Sequence, residues 1–412
     1  MARLTTMLPL VLAVIWLGIA PVSASGPATA DDTARVLAGM PPSGASPLTS
    51  LTEEAGWQRH RRFFDDAFGR LEQRQLSKIH AWADANLAAP RPAMFYFFSG
   101  PDFIYADAFY AKATTYVMGA LEPTGPVPDL TQLPRGDIAL SLSYVERSLQ
   151  SILSFSFFIT KQMKTDLHEG EVNGTLPILY VFLARTGKTI RSAGLVWLDE
   201  RGVLHEAAEP PPESATRGAR IGFAGADGAD KTLYYFSTDL SNSGVRSSGF
   251  LKFCETLGPG DSLLKSASYL LHSAGFSTVR SWLLANSASI VQDDSGIPLA
   301  SYDSRAWRFL PFGRYAGPID KFPDRYQERY ADLFAHATPL DFGIGYRWRP
   351  RESNVLLAVR LPAADSSSPA EAAAAQANSG QPRRTDPIVR PPAPIRLSPP
   401  PLRDGLWFWP HW

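Results

Sequence analysis

The sequence predicts an α+β protein with a mixed, mainly antiparallel sheet packed against helices, followed by a disordered, proline-rich C-terminal tail. Three observations lead there. Segments between residues 51 and 167 repeat apolar residues at helical spacing, and short β-rich runs are scattered from residue 94 to residue 360. The two kinds do not alternate regularly, whereas a regular alternation would announce a parallel sheet. The chain of 412 residues is 45% hydrophobic, enough for a large core, and its 40 basic and 40 acidic side chains leave no general basic surface for nucleic acid or an anionic membrane.

Residues 1–24 read as a secretory signal, with Arg3 ahead of the apolar stretch Leu8–Ala20 and the small-residue cleavage site Val22-Ser23-Ala24. The stretch is shorter than the ~20 residues of a spanning helix. No transmembrane anchor is therefore expected after cleavage, and the expected location is periplasmic or secreted. Residues 25–50, rich in Ala, Ser, Pro and Gly, are expected to be a flexible lead-in. Residues 51–360 are expected to form the α+β globular domain, with room for two packed subdomains. Residues 361–412 hold 11 of the 35 prolines and end in Leu406-Trp407-Phe408-Trp409-Pro410-His411-Trp412, an aromatic stretch suited to docking on the domain or on a partner.

Within the domain, Trp57, Phe64, Phe68 and Leu71 mark a first helix, and a second runs from Gln75 to Leu87 before Pro90 and Pro92. Met94–Phe98 is a continuous apolar run between Pro92 and Gly100, the pattern of a buried strand. Asp137 to about Leu167 reads as a long helix, and Leu176–Ala184 and Ile190–Leu198 as two strands of a hairpin turning at Arg185–Thr189. Lys231–Thr238 adds a strand, and Phe250–Thr256 and Ser277–Asn286 add short helices. Ser289–Gln292, Phe342–Trp348 and Val355–Arg360 supply the last strands.

Two segments carry candidate chemistry. The first places Ser99-Gly100-Pro101-Asp102 directly after the buried strand, with Asp107 five residues on among aromatics. Carboxylates beside apolar surface have raised pKa values and can act as general acids or bases, although Asp102 equally suits a helix cap. Glu122 and the prolines that follow it read as a rigid loop walling the same region. In the second segment, Ser289–Gln292 runs into Asp293-Asp294-Ser295-Gly296, polar groups at a strand end. Candidate catalytic residues are thus Asp102, Asp107, Asp293 and Asp294, and candidate binding residues are Ser99, His272, Ser295 and Tyr315. No metal site is expected, because the histidines are scattered and the single Cys254 reads as a buried small hydrophobe. There is no Gly-x-Ser-x-Gly elbow, no Walker-type loop and no His-Glu-x-x-His helix. The glycines of 222–228 lie in a loop-like stretch rather than between a strand and a helix, which argues against a dinucleotide fingerprint there. Nothing in these patterns names a cofactor.

The stretches FSGPDFIYADAFYAKATTYVMGALEP (98–123), KSASYLLHSAGFSTVRSWLLANSASIVQDDSGIP (265–298) and FGRYAGPI (312–319) resemble a family of uncharacterised exported bacterial proteins. The resemblance spans much of residues 93–360 and implies export and one shared fold; it transfers no activity and no catalytic residue. Two functions follow from the sequence. The first is an exported envelope protein that acts by binding or assembly, with an envelope protein or a small molecule as partner. The second is a periplasmic acid–base hydrolase in which Asp102 or Asp107 meets Asp293 or Asp294 across a cleft.

Overall fold

A computed structural model of the protein describes residues 27–87, 89–158, 171–206 and 211–362. The expected signal sequence, residues 1–24, and the chain from residue 363 lie outside the described residues. Ten strands form one sheet: β1 (Ala93–Phe97), β2 (Thr115–Ala120), β3 (Thr189–Leu198), β4 (Leu204–Glu206), β5 (Thr216–Ala224), β6 (Asp230–Ser237), β7 (Gly260–Leu264), β8 (Ser287–Gln292), β9 (Trp307–Gly313) and β10 (Asn354–Arg360). Their spatial order is β4-β3-β5-β6-β2-β1-β7-β8-β10-β9. The expected α+β class and mixed sheet are observed. Antiparallel pairings make both flanks, while the five central strands β6-β2-β1-β7-β8 are all parallel.

Side-chain alternation along β1 explains why helices cover both faces. Met94 and Tyr96 point into one core, while Ala93, Phe95 and Phe97 point into the other. The first core lies under α1 (Ala30–Leu37), α2 (Ala55–Leu71), α3 (Ser77–Asn86), α4 (Phe103–Tyr110), α5 (Arg135–Phe155) and α6 (Leu176–Arg185). The second lies under α8 (Phe250–Thr256) and α9 (Ser277–Asn286), with Val245 of α7 (Asn242–Ser247) at its side. Cys254 is buried in this second core, as its apolar neighbours Phe250 and Phe253 imply. A last helix, α10 (Glu328–Phe334), buries the stripe of Tyr330 and Phe334 beside β9.

Four expectations need correction. Residues 27–50 are not a plain lead-in: Thr29 and Asp32 form a reciprocal capping box for α1, whose Ala34, Val36 and Leu37 are fully buried. Leu176–Ala184 is a helix, not a strand, so Arg185–Thr189 is no hairpin turn. A nine-residue run, 176–184, that carries no charged residue has no periodicity to separate the two; Pro177 in its first turn and burial among α1, α4 and α5 decide for the helix. The long helix begins at Arg135 and ends at Phe155, where Ser156 turns left-handed at φ 74°; residues 159–167 of the expected helix lie in a stretch that is not described. Phe342–Trp348 is a loop with one bridge, Ile344 to Arg347. A Cβ at Gly343 would stand 2.0 Å from the Trp348 carbonyl oxygen, so backbone crowds there in place of a ladder. The two predicted helical runs after residue 55 are α2 and α3, joined without a break by a π-helical turn at Glu72–Leu76.

Candidate functional site

The parallel centre directs attention to one end of the sheet. From β1 the chain winds outward through β2 to β6, then returns to β1's other side and winds through β7 to β8. In doubly wound sheets ligands bind outside the carboxyl ends of the strands on either side of such a reversal, and here those strands are β1 and β7. Most of the candidate residues arrive there. Ser99 and Asp102 follow β1, Asp293, Asp294 and Ser295 follow β8, and Lys265 follows β7.

Asp102 caps α4, as its position before a helical run suggested, but it does more. Its Oδ1 accepts from the Tyr105 backbone N–H at 3.3 Å, and its Oδ2 accepts from the Tyr96 hydroxyl and from Lys265 Nζ, each at 2.8 Å. Lys265 also donates to the Ser156 carbonyl and lies 4.1 Å from the centre of the Tyr105 ring. Burial raises the pKa of Asp102, and Lys265 opposes that rise.

Asp293 accepts at Oδ2 from the Ser266 N–H and at Oδ1 from the Ser295 N–H, both at 3.0 Å, and from the Ser295 hydroxyl. Burial, with Asp294 next to it, pushes its pKa up to about 7. Asp294 accepts from the Tyr269 hydroxyl at 2.7 Å and from Asn354 Nδ2 at 3.0 Å, and burial raises its pKa too. The two acids sit in a turn closed by the Gly296 N–H on the Asp293 carbonyl, and they take different partners. Asp102 and Asp293 both face Tyr96 closely enough to raise the pKa of its phenol further after burial has done so. Ser295 donates to Asp293 and accepts from the Ala267 N–H. His272 meets the backbone at Asp294 and Gly296, and burial holds its pKa down at about 4, so the ring is neutral near pH 7. Tyr315 accepts from the Gln327 N–H at 3.1 Å and stands near enough to Asp294 to feel its charge. Ser99 donates to the Gly100 carbonyl within the turn.

Asp107 is the exception. Five residues along an α-helix turn the side chain by about 500°, so Asp102 and Asp107 point to different sides of α4. Asp107 pairs with Lys188 at 2.8 Å and lines a groove at the opposite edge of the sheet. The structure therefore unites three of the four candidate acids and leaves the fourth elsewhere.

Residues absent from the sequence-level candidates complete the crevice. Lys265 is one, and Glu122, expected only as a wall, is another. Glu122 is buried just past β2, and its Oε2 lies 4.0 Å from where a Cβ on Gly100 would stand. Gly100 itself has φ +56°. Backbone strain gathers at the same place. Among the described residues, the non-glycine residues at positive φ are Phe98, Ser156, Ser266, Ser268 and Tyr269. Every one of them belongs to this end of the sheet, and left-handed backbone at Phe and Tyr costs on the order of 1–3 kcal/mol each. No group of three or more His, Cys, Asp or Glu side chains among the described residues is placed to hold a metal ion, and no described helix is long and apolar enough to cross a membrane. No protein-family model, curated protein or solved structure matches the chain.

Proposed function

We propose that the chain binds a nucleoside-type ligand in the crevice between the ends of β1 and β7, with Glu122 taking the sugar hydroxyls. The observation that carries this is the approach of Glu122 Oε2 to within 4.0 Å of the Gly100 Cβ position, at the point where the sheet reverses its winding. A strand, a glycine turn, a helix, a second strand and then a carboxylate about 20 residues on is the arrangement by which doubly wound sheets hold a ribose. A carboxylate is an acceptor only, so it suits a diol.

The ligand in this reading carries no pyrophosphate. In nucleotide sites the helix after β1 offers free N–H groups to phosphate. Here Asp102 already accepts the Tyr105 N–H, Pro101 has no N–H to offer, and the three acids Asp102, Asp293 and Asp294 outnumber the cations beside them, Lys265 at Asp102 and Arg347 near Asp294. A neutral or cationic nucleoside fits that balance better than an anionic one. Calorimetry of the full chain with adenosine, S-adenosylmethionine and NAD tests it. The sulfonium nucleoside is expected to bind more tightly than NAD, and Glu122→Gln to weaken it by about 10- to 100-fold, the worth of hydrogen bonds to a charged acceptor. Tighter binding of NAD, no binding of any of the three, or an unchanged affinity in Glu122→Gln would remove the proposal.

One observation favours a second reading, the acid–base hydrolase. A carboxyl titrating at about 7, as Asp293 does, is poised to give or take a proton at neutral pH. Against it, both oxygens of Asp102 and of Asp293 are already taken up by protein donors. Export belongs with the proposal. The leader-like residues 1–24 support a periplasmic or secreted binding protein, and fractionation of cells expressing the full chain decides it.

A further inference from the structure

The groove at the other edge of the sheet has no part in the proposed nucleoside site. It encloses about 670 Å³ between α2, α3 and α4, and its wall is mostly apolar, with Leu76, Leu87, Ile104 and Phe109. Asp107 and Lys188 lie paired in it. Lys188 occupies Oδ2 of Asp107, but Oδ1 has no hydrogen-bond partner although the residue is only 3% exposed. A buried acceptor left empty is costly, and Arg185 Nη2, on a residue lining the same groove, is likewise without a partner, so the groove holds one unfilled acceptor and one unfilled donor. Because Lys188 already neutralises the carboxylate, a neutral N–H or O–H suits the site better than a second cation. Arg185, which also lines the groove, sits over the rings of Phe64 and Phe68, so aromatic faces already meet a cation there.

We propose that this groove is the docking site of the chain's own aromatic segment, Leu406 to Trp412. The segment has no acidic, lysine or arginine side chain and has three tryptophans, each an apolar ring with one N–H that can only donate. That is the chemistry an apolar groove with an unfilled buried acceptor selects. The chain also leaves the domain on the correct edge. Because β10 runs antiparallel to β8, its last residue, Arg360, bonds the carbonyl of Ser287, the first residue of β8. Pro90, Ala111 and Lys112, which line the groove, precede β1 and β2 on that same edge. From β10 to β1 is three strand spacings, ~15 Å. The segment follows the domain after the 43 residues 363–405; a random coil of 43 residues has an end-to-end distance of ~36 Å, which corresponds to an effective concentration on the order of millimolar at the groove.

The test uses the full chain with a photo-crosslinker, Trp409→p-benzoylphenylalanine. Adducts within one molecule to peptides of residues 68–112 are expected. Gly69 lines the groove on α2, and a Cβ there meets nothing within 4 Å, so Gly69→Trp starts a bulky side chain at the groove without a clash at its Cβ. That variant should lower the adduct yield by about tenfold while leaving the unfolding temperature unchanged or higher, since a helix gains from losing a glycine. Adducts elsewhere on the domain, adducts that join two copies, or a yield unaffected by Gly69→Trp would each overturn the proposal.

Discussion

At the N-cap and in the middle of α4 stand two buried Asp–Lys pairs of equal length, 2.8 Å, whose surroundings differ. Asp102 and Lys265 sit where β1 and β7 end, and each has further partners: Tyr96 and the Tyr105 N–H for the acid, the Ser156 carbonyl for the base. Asp107 and Lys188 border an open groove, and one oxygen of the acid has no partner at all. The first pair is closed by the protein itself, in the region where backbone strain is concentrated. The second is left incomplete, with no such strain around it. An ion pair by itself therefore says little about function. What surrounds it separates a crevice held in a costly geometry from a groove that awaits a donor.

Removing the cation from each pair sharpens that contrast most. Lys265→Met leaves Asp102 buried and unpaired and should cost about 5 kcal/mol of unfolding free energy, measured by urea denaturation, with loss of the fold as the extreme. Lys188→Met should cost less than half of that, about 2 kcal/mol, because removing the ammonium that covers Asp107 opens its carboxylate to the groove. Equal losses would erase the distinction between the two pairs.

The pH dependence of stability is the next largest effect. Asp293 has its pKa raised to about 7 in the folded protein, whereas an unfolded aspartate titrates near 3.9. Between those values the folded state holds a proton that the unfolded state has released, so stability is full below about pH 4 and falls as pH rises to about 7. In Asp293→Asn, denaturation curves at pH 5 and pH 8 should lie closer together than those of the natural chain. A wild-type-like gap would place the titration on another group.

The smallest expected effect is at the groove rim. Gly69→Ala should stabilise the protein by about 0.5–1 kcal/mol through helix propensity alone, read as a rise in the melting temperature. A loss would mean that the groove needs the open space at that position.

Much of the scaffold around both ends was legible. Phe250–Thr256 and Ser277–Asn286 fall where the sequence put helices, and the apolar run from Met94 is β1. The parallel centre was not legible, because the connection from β2 to β6 contains two helices and the antiparallel strands β3, β4 and β5, which hide the strand–helix alternation. At the crevice, Asp102, Asp293 and Asp294 were visible as acids next to strand ends. Lys265 was not, since its partner Asp102 lies 163 positions away and only the β1–β7 pairing brings them together. Glu122 had a readable signal that went unused: a carboxylate just past a strand, 22 positions after the glycine of a strand–helix turn. The division of Asp102 from Asp107 followed once α4 was known to be helical, whereas a loop would have left both free to face one cleft.

The most direct test of which end of the sheet takes the ligand is amide hydrogen exchange of the full chain with and without saturating S-adenosylmethionine. Protection is predicted in the turn at residues 98–102, at 121–123 and in the loop at 265–269, with the groove segments 69–84 and 107–112 unchanged. Protection confined to the groove, or none anywhere, would contradict the assignment of the crevice between β1 and β7 as the binding site.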